Sequence, residues 1–552
     1  MTHLNLPRPV GRWHSGDSSP EPFDSALQRA LLNVGDSIYV IDQQGCLAIS
    51  QSGTAELGKR CAAEGGGLPL LAHVPPLHPR ALGDPAFKTA HGLQYAYVAG
   101  EMANGIASVR MVMEAGKSGL VGFFGAGGLM PREVEEALDR LQAANPPIPF
   151  GVNMIHSPGS PELEMTLAEL FLRKRVRLIS ASAFVEPTLP LVYYRTKGIR
   201  RDGDGRIVCP NKVIGKVSRV EVARKFMAPP SARHIGRLVE LGLLSPEEAA
   251  LAPSVPLVED LTAEADSGGH TDNRPAITLL PTMMALRDEL AAAYGYAKPP
   301  SVGLGGGIAT PEAVAAAFAM GAGYVLTGSI NQCCIEAGTS EAVCTMLAEA
   351  GQADVTMAPA ADMFELGVKV QVLKRGTMFP YRAAKLYELY TAYGSYEEIP
   401  AQQRLMLERD FFRCSFEEQW EQTRRFFLER DPKQIERAEK DPKHKMALVF
   451  RAYLGRSSAW AISGEPTRKI DYQIWCGPAM GAFNQWVKGS LLEKPENRRT
   501  VTVAMNLLLG AAVATRASWL RSQGIPLPGS AGAIRPMELA DIRKWLGEPT
   551  HP

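Results

Sequence analysis

Along the middle of the chain short apolar runs recur. Each closes on glycine or polar residues and leads into a stretch with apolar residues three and four apart. The runs are Tyr95–Ala99, Gly119–Phe124, Ile148–Met154, Val176–Ser182, Lys212–Val217, Pro256–Ala263, Ser301–Leu304 and Tyr324–Thr327. Among the intervening segments, Pro131–Ala144, Glu162–Arg173, Val220–Phe226, Ile277–Tyr294 and Pro311–Met320 have the spacing of helices. Eight strands alternating with helices predict an α/β fold, a (β/α)8 TIM-type barrel over residues 86–340. An open doubly wound sheet fits a strand count one or two different.

The flanks read differently. Residues 1–85 are rich in Pro and Gly and hold one alternating stretch, Ser37–Asp42, running to the turn-like Gln44-Gly45. They predict a small strand-bearing N-terminal extension with no assigned chemistry. Beyond 340, Glu341–Ala350, Ala383–Ala392, Gln402–Phe411, Phe416–Glu429 and Asp431–Ala438 are charged on one side and apolar on the other. Val501–Gln523 is a longer helix, apolar at first and basic at its end. Residues 341–552 are therefore expected to form a mostly α-helical substrate-binding or interaction section. The aromatics Phe411, Phe412, Phe416, Trp420, Phe426 and Phe427 suggest homodimerisation or docking to partners; the core of one helical domain accounts for the same residues.

Composition narrows the class. The 552 residues carry 59 Lys+Arg and 58 Asp+Glu, a formal charge of +1 with no basic or acidic tail. That balance argues against nucleic acid or an anionic membrane surface as the main partner. Apolar residues at 45% and charged residues at 21% describe a folded globular chain. The uncharged run Ala313–Ile335 is broken by glycines and polar residues and reads as helix then strand, not as a membrane span. The eight cysteines contain no C-x-x-C pair, and Cys333 adjoins Cys334, a pattern that suits neither a disulfide framework nor a zinc site. Met1 to Pro20 is polar, without the apolar core of a secretory leader, so a reducing cytoplasm is the expected location.

Chemistry is signalled first by Val302-Gly-Leu-Gly-Gly-Gly-Ile308, followed by Thr310-Pro311, an N-cap and first position of a helix. Glycines there let backbone N–H groups approach a phosphate. The next strand ends in Thr327-Gly328-Ser329, a second set of N–H groups with two hydroxyls. These are strands seven and eight of the count, whose loops form the recurrent phosphate site of such barrels. Tight turns explain one such loop; two at adjacent strand ends favour phosphate. Neither the P-loop nor the dinucleotide spacing is present, so flavin mononucleotide or a phosphosugar fits better than ATP.

The second signal is Glu264-Ala-Asp-Ser-Gly-Gly-His270, which puts a histidine on the catalytic rim behind Gly268 and Gly269. Other strand ends carry Ala99-Gly100-Glu101-Met102, Phe124-Gly-Ala-Gly-Gly128, Asn153 and Lys216. Small residues there admit a flat ring, and an amide or an ammonium can bond its polar atoms. The plain alternative for His270, Asn153 and Lys216 is a structural or solvated polar group.

Gly151-Val-Asn153, Ser267-Gly-Gly-His270, Gly303–Ile308 and Thr327-Gly-Ser329, in that order, resemble the nitronate monooxygenase/2-nitropropane dioxygenase-like flavoproteins and flavin-dependent enoyl-acyl-carrier-protein reductases. Lys369-Val-Gln-Val-Leu-Lys-Arg-Gly-Thr377 and Trp475-Cys-Gly-Pro-Ala-Met-Gly-Ala-Phe-Asn484 narrow this. They resemble the PfaD family, stand-alone enoyl reductases of polyunsaturated fatty acid synthases and polyketide assembly lines. The resemblance implies bound FMN, NADPH as co-substrate, and an enoyl thioester on an acyl carrier protein among other synthase subunits. Hydride would pass from NADPH to flavin N5 and on to the substrate β-carbon.

The resemblance also implies that Gly305, Gly306, Gly307, Gly328 and Ser329 hold the FMN phosphate, while Ala99, Gly100, Met102 and Asn153 line the isoalloxazine. His270 matches the group's active-site histidine. Lys216 has no clear counterpart there; position alone makes it a second catalytic candidate and, with Gly268, Gly269 and Thr327, a cofactor neighbour. Lys374 and Arg375 are candidate partners for the phosphates of NADPH or phosphopantetheine, against the reading of a solvated basic pair. Rival functions are a nitronate-oxidising flavoenzyme, a non-catalytic flavin-holding synthase subunit, and a phosphosugar-binding barrel.

Overall fold

The computed structural model describes residues 7–58, 66–157 and 161–549. Its centre is eight parallel strands: β1 (Tyr97–Gly100), β2 (Val121–Phe124), β3 (Phe150–Ile155), β4 (Leu178–Ser182), β5 (Lys212–Val217), β6 (Asp260–Glu264), β7 (Ser301–Gly305) and β8 (Val325–Thr327). Each pairs with the next, and β8 returns to β1 through Val325 opposite Tyr97, so the sheet is a closed barrel. Every predicted strand overlaps an observed one, and closure excludes the open sheet.

Side-chain alternation sorts the barrel residues into two faces. Val98, Phe123, Ile214, Tyr324 and Leu326 fill the interior, and Phe87 of helix Pro85–His91 closes the floor, stacked on Tyr324 at 4.1 Å. Toward the C-terminal ends the inward register passes from Asn153 to Ser180, from Ser182 to Lys216 and on to Thr262, with Glu264 beside Gly305. The mouth of the barrel is therefore polar while its floor is apolar.

A six-stranded antiparallel sheet precedes the barrel and includes the predicted strand at Ile38–Gln43, which hairpins through Gln44-Gly45 to Cys46–Ser50. The barrel is completed from far along the chain. Helix Thr500–Ser522 lies against Pro311–Ala319 on one side and Val109–Lys117 on the other, the place of the eighth outer helix. A Cβ on its Gly510 would come within 2.6 Å of Pro311 Cγ, so the two helices touch almost backbone to backbone. The sequence pattern groups this helix with the 341–552 section; the structure makes it part of the barrel wall. Among the described residues it alone is long and apolar enough to cross a bilayer, but 89% of its most apolar window is buried inside the protein.

Between Ser329 and Arg499 the chain builds a cover over the mouth. Strands Val355–Pro359 and Lys369–Leu373 form a three-stranded antiparallel sheet with the two-residue strand Gly269–His270. Helices Phe379–Ala392, Phe416–Arg430 and Pro442–Ser463 pack beside it, with Leu407–Phe412 wound as a π-helix. Phe411, Phe412 and Phe416 are buried here against Phe450, Tyr453 and Tyr396, the last stacked on Phe416 at 3.7 Å. These three aromatics therefore supply the insert's own core, and the dimerisation expectation loses half of the residues that motivated it. Phe426 stays exposed under the Arg430 guanidinium.

One buried carboxylate ties this insert together. Asp471 is fully buried and receives Arg382, Arg468 at 3.2 Å, Arg413 at 3.8 Å and the Tyr453 hydroxyl at 2.6 Å. Arg468 also donates to the carbonyls of Phe411 and Phe412, which end the π-helix. Asp471→Asn strands several guanidinium groups without their counter-charge. Breaking a buried ion pair from one side costs about 3–5 kcal/mol, so a clear fall in melting temperature is expected. Asp471→Glu, which keeps the charge, should lose less.

Candidate active site

The mouth of the barrel holds a continuous chain of polar groups. Asn153 Nδ2 donates to Ser182 Oγ at 3.0 Å, and Ser182 Oγ donates to Glu101 Oε2 at 3.0 Å. Glu101 Oε2 lies 3.6 Å from Lys216 Nζ, which lies 3.1 Å from Glu264 Oε1. Ser267 Oγ then donates to Glu264 at 3.3 Å. Five strand ends, those of β1, β3, β4, β5 and β6, thus converge on one ammonium flanked by two carboxylates.

Burial sets the electrostatics. The Lys216 side chain is 16% exposed, that of Glu264 13% and that of Glu101 1%. Burial opposes the lysine's charge, but Glu264 and then Glu101 outweigh it and hold the ammonium well above the usual lysine range. Burial pushes the Glu101 carboxyl up against the pull of Lys216. Glu101 also sits at φ +74°, a left-handed backbone rare outside glycine and concentrated at functional sites.

His270 reaches the rim on the short strand that pairs with the cover, opposite Val370. Its Nε2 lies 3.2 Å from Asp362 Oδ1. Gln371 clamps the preceding loop, donating to Asp266 Oδ1 and to the Ser267 carbonyl, both at 2.7 Å. Burial works against the imidazolium, but the bond and charge of Asp362, with Glu264 behind, raise His270 above the ordinary histidine value. Asp362 moves the opposite way: burial would raise it, and His270 draws it below the usual carboxylate value.

The linkage signs follow. The raised histidine contributes stability that is full below its unfolded value and is lost as pH rises through the folded one. The depressed Asp362 contributes stability that is lost as pH falls through its own folded value. Asp362→Asn is expected to lower the His270 midpoint, read by NMR titration of the ring. The stability gap from wild type should be widest between the two folded values and shrink on either side.

The glycine loops lie beside this centre, with Gly305 level with Glu264. Gly306 takes φ +86°, and a Cβ there would sit 2.6 Å from the carbonyl carbon and oxygen of Ala265. At Gly307 and Gly328 a Cβ would meet nothing within 4 Å, so open space lies over both. Ser329 Oγ accepts from the Gly477 N–H at 3.1 Å, which brings the returning end of the cover into the cradle. Gly477 and Gly268 touch closely, for a Cβ on Gly477 would lie 2.8 Å from Gly268 N. The cradle is therefore built from three separate parts of the chain.

The structure places the remaining sequence candidates as follows. Gly100 and Asn153 face the barrel interior, level with Phe123 and Ser180. Met102 packs with Ile106 and Met111 against Trp475 of the cover. Gly305 lies level with Glu264, and Gly269 pairs opposite Gln371. Ala99 and Thr327 share the outward register, and the Thr327 hydroxyl is taken up by Tyr97 at 2.7 Å and Asn331 at 2.9 Å. Those two can meet a ligand only through their backbone. Lys374 and Arg375 lie four and five residues beyond Val370, the partner of His270, and Arg375 is engaged by Asp354 and Glu349.

Glu101, Glu264, Asp362, Gln371 and Gly477 belong to the site and were not among the sequence candidates. Glu101 and Glu264 stand inside strings already singled out, and a buried lysine is itself a signal that carboxylates are near. Gln371 and Gly477 stand inside the Lys369–Thr377 and Trp475–Asn484 strings, whereas Asp362 lies far along the chain with no local pattern to mark it.

A (β/α)8 barrel with a buried charged centre at its C-terminal mouth and a glycine cradle beside it defines a ligand-binding barrel of the enzyme kind. Comparison with known proteins narrows this. A family model described as the inserted helical domain of [acyl-carrier-protein] S-malonyltransferase matches residues 393–472, within the cover. One of the polyunsaturated fatty acid synthase subunits of Thraustochytrium sp. is 46% identical over 450 residues, 80% of this chain and 30% of that protein. The polyketide biosynthesis protein PksE of Bacillus subtilis is 46% identical over 434 residues, 78% of this chain and 56% of its own length. The chain therefore spans well under two thirds of these relatives. The crystal structure of the enoyl reductase domain of MlnA, from the macrolactin cluster of Bacillus amyloliquefaciens, superposes with a TM-score of 0.74 at 40% identity. That match covers 98% of the domain and 80% of this chain. The chain belongs to this family of enoyl reductases of polyketide and polyunsaturated fatty acid synthases.

Proposed function

We propose that the protein is an FMN-dependent, NADPH-using reductase acting in trans on enoyl thioesters carried by an acyl carrier protein. The observation that carries this reading is the Lys216 ammonium, buried between Glu101 and Glu264 at the mouth of a barrel of the enoyl reductase family. A cation fixed there stabilises the negative charge that develops on a thioester oxygen during reduction. His270, held by Asp362 on the rim, is a second donor to the same oxygen.

The residues present fit the flavin. Gly307 and Gly328 border open space, with Gly306 and Ser329 next to them in the chain, and backbone N–H groups facing such a space are the need of a phosphate. Two buried oxygens, Glu101 Oε1 and Asn153 Oδ1, lack a partner among the described residues and suit a ring N–H. FMN, when bound, supplies the hydride relay between NADPH and the enoyl β-carbon. The chain's residues orient the thioester, hold its oxygen and move the proton for its α-carbon.

The helical cover is the proposed carrier-protein platform. Its 393–472 segment matches a helical domain inserted in a transferase that itself acts on acyl carrier protein. The synthase membership of the relatives supports other synthase subunits as further partners.

The test is the visible spectrum of the purified protein. The reading expects a yellow protein that anaerobic NADPH bleaches and an enoyl thioester on a carrier protein recolours. Recolouring by oxygen alone would move the function to nitronate-type oxidation, and a protein that refuses FMN would return the cradle to another phosphate.

A further inference from the structure

Glu101 is the most enclosed ionisable group of the centre, and the proposed reaction gives its carboxyl proton no role. Two carboxylates share one buried ammonium, so full ionisation leaves an uncompensated negative charge in the barrel mouth, a costly arrangement. Geometry decides which carboxylate keeps a proton. Glu264 is nearer Lys216 and also accepts from Ser267. Glu101 is farther at 3.6 Å, is 1% exposed, accepts from Ser182 through Oε2, and leaves Oε1 without a partner among the described residues.

We propose that Glu101 is neutral in the resting enzyme and serves as the proton reserve behind Lys216, a positioning residue for protonation of the substrate α-carbon. The inference rests on the reductase reading, in which Lys216 faces the thioester. An N–H bond of Lys216 breaks as the α-carbon C–H bond forms, and the electron pair stays on Nζ. The Glu101 O–H bond then breaks to restore the ammonium, and the carboxylate left behind regains its proton from solvent. Ser182 and the recharged Lys216 hold that carboxylate meanwhile.

The arrangement also frees the lysine's proton. Between two carboxylates the ammonium would be locked, whereas a neutral Glu101 leaves Glu264 alone to hold it. The groups facing Glu101 are few. They are Lys216 from β5, Glu264 from β6, Ser180 and Ser182 from β4, and the Tyr324 phenol below, which burial keeps neutral. His270 and Asp362 lie one step further out, beyond Glu264.

The experiment compares wild type with Glu101→Gln, which keeps shape and removes the proton. In the infrared difference spectrum of the resting proteins at neutral pH, wild type minus variant should show a protonated-carboxyl carbonyl band that shifts in D2O. Carboxylate bands in its place would overturn the proposal, whatever the enzyme's reaction proves to be. A cooperative melting transition shows that the variant folds, and recolouring is timed from the fully bleached state of each protein, whatever its bleaching rate. Recolouring by an enoyl thioester should slow about 10²-fold, the scale of a lost acid–base group. Wild type should lose rate as pH rises and the reserve empties, and the variant should lack that dependence. An unchanged recolouring rate in Glu101→Gln at every pH would also sink the idea. Failure of wild type to bleach would instead refute the reductase reading and leave the infrared result standing.

Discussion

Gly306→Ala is expected to purify without flavin and to bind added FMN about 10²-fold more weakly than wild type, from a backbone strain of about 1–3 kcal/mol plus a steric clash. The strain arises because Gly306 sits at φ +86°, which alanine tolerates poorly. The clash arises because the new Cβ would lie 2.6 Å from the Ala265 carbonyl and 2.8 Å from the Asp266 oxygen. Both are backbone atoms at the end of β6 and cannot rotate away. Moving them would displace the loop that carries His270, so activity and cofactor affinity should fall together. Gly328→Ala separates fold from ligand. Gly328 has φ −120°, and a Cβ there meets nothing within 4 Å. That variant should melt with wild type, so weaker FMN binding in it, measured by flavin fluorescence, reports the cradle itself. Tight FMN binding by both variants would remove the phosphate from these loops.

Why the barrel was legible and the active centre only partly so has a physical basis. Strands buried on both faces and helices buried on one write regular periods into the chain. That is why all eight barrel strands were found, and why the glycine clusters stood out at the ends of β7 and β8. Helix Pro442–Ser463 was missed because it is buried on several sides and shows no single apolar face. The cover strands Val355–Pro359 and Lys369–Leu373 were missed because so small a sheet needs little hydrophobic length, and one of its strands is the two residues Gly269–His270. The charged centre depends on which strand ends meet in space. Lys216 was visible as a polar residue late in a strand. Its pairing with Glu101, 115 positions earlier, is a product of barrel closure. The same holds for Asp362 and His270, brought together only when the cover sheet forms.

Lys216→Met should leave bleaching by NADPH near the wild-type rate and slow recolouring by an enoyl thioester about 10²–10³-fold, the cost of removing one donor to a developing oxyanion. The split is the point of the measurement, because in the proposed reaction the ammonium meets the thioester and has no part in taking hydride from NADPH. The substitution also leaves Glu101 and Glu264 buried without their cation, so lower stability is expected and has to be separated from lost chemistry. Lys216→Met combined with Glu264→Gln does so. Glu264→Gln removes the buried charge left without its partner and should recover much of the melting temperature, while the slow recolouring persists. Recovery of the rate along with stability would make Lys216 a structural counter-ion for two acids. The developing charge would then fall to His270, whose replacement by glutamine should give the same split if it is the principal donor.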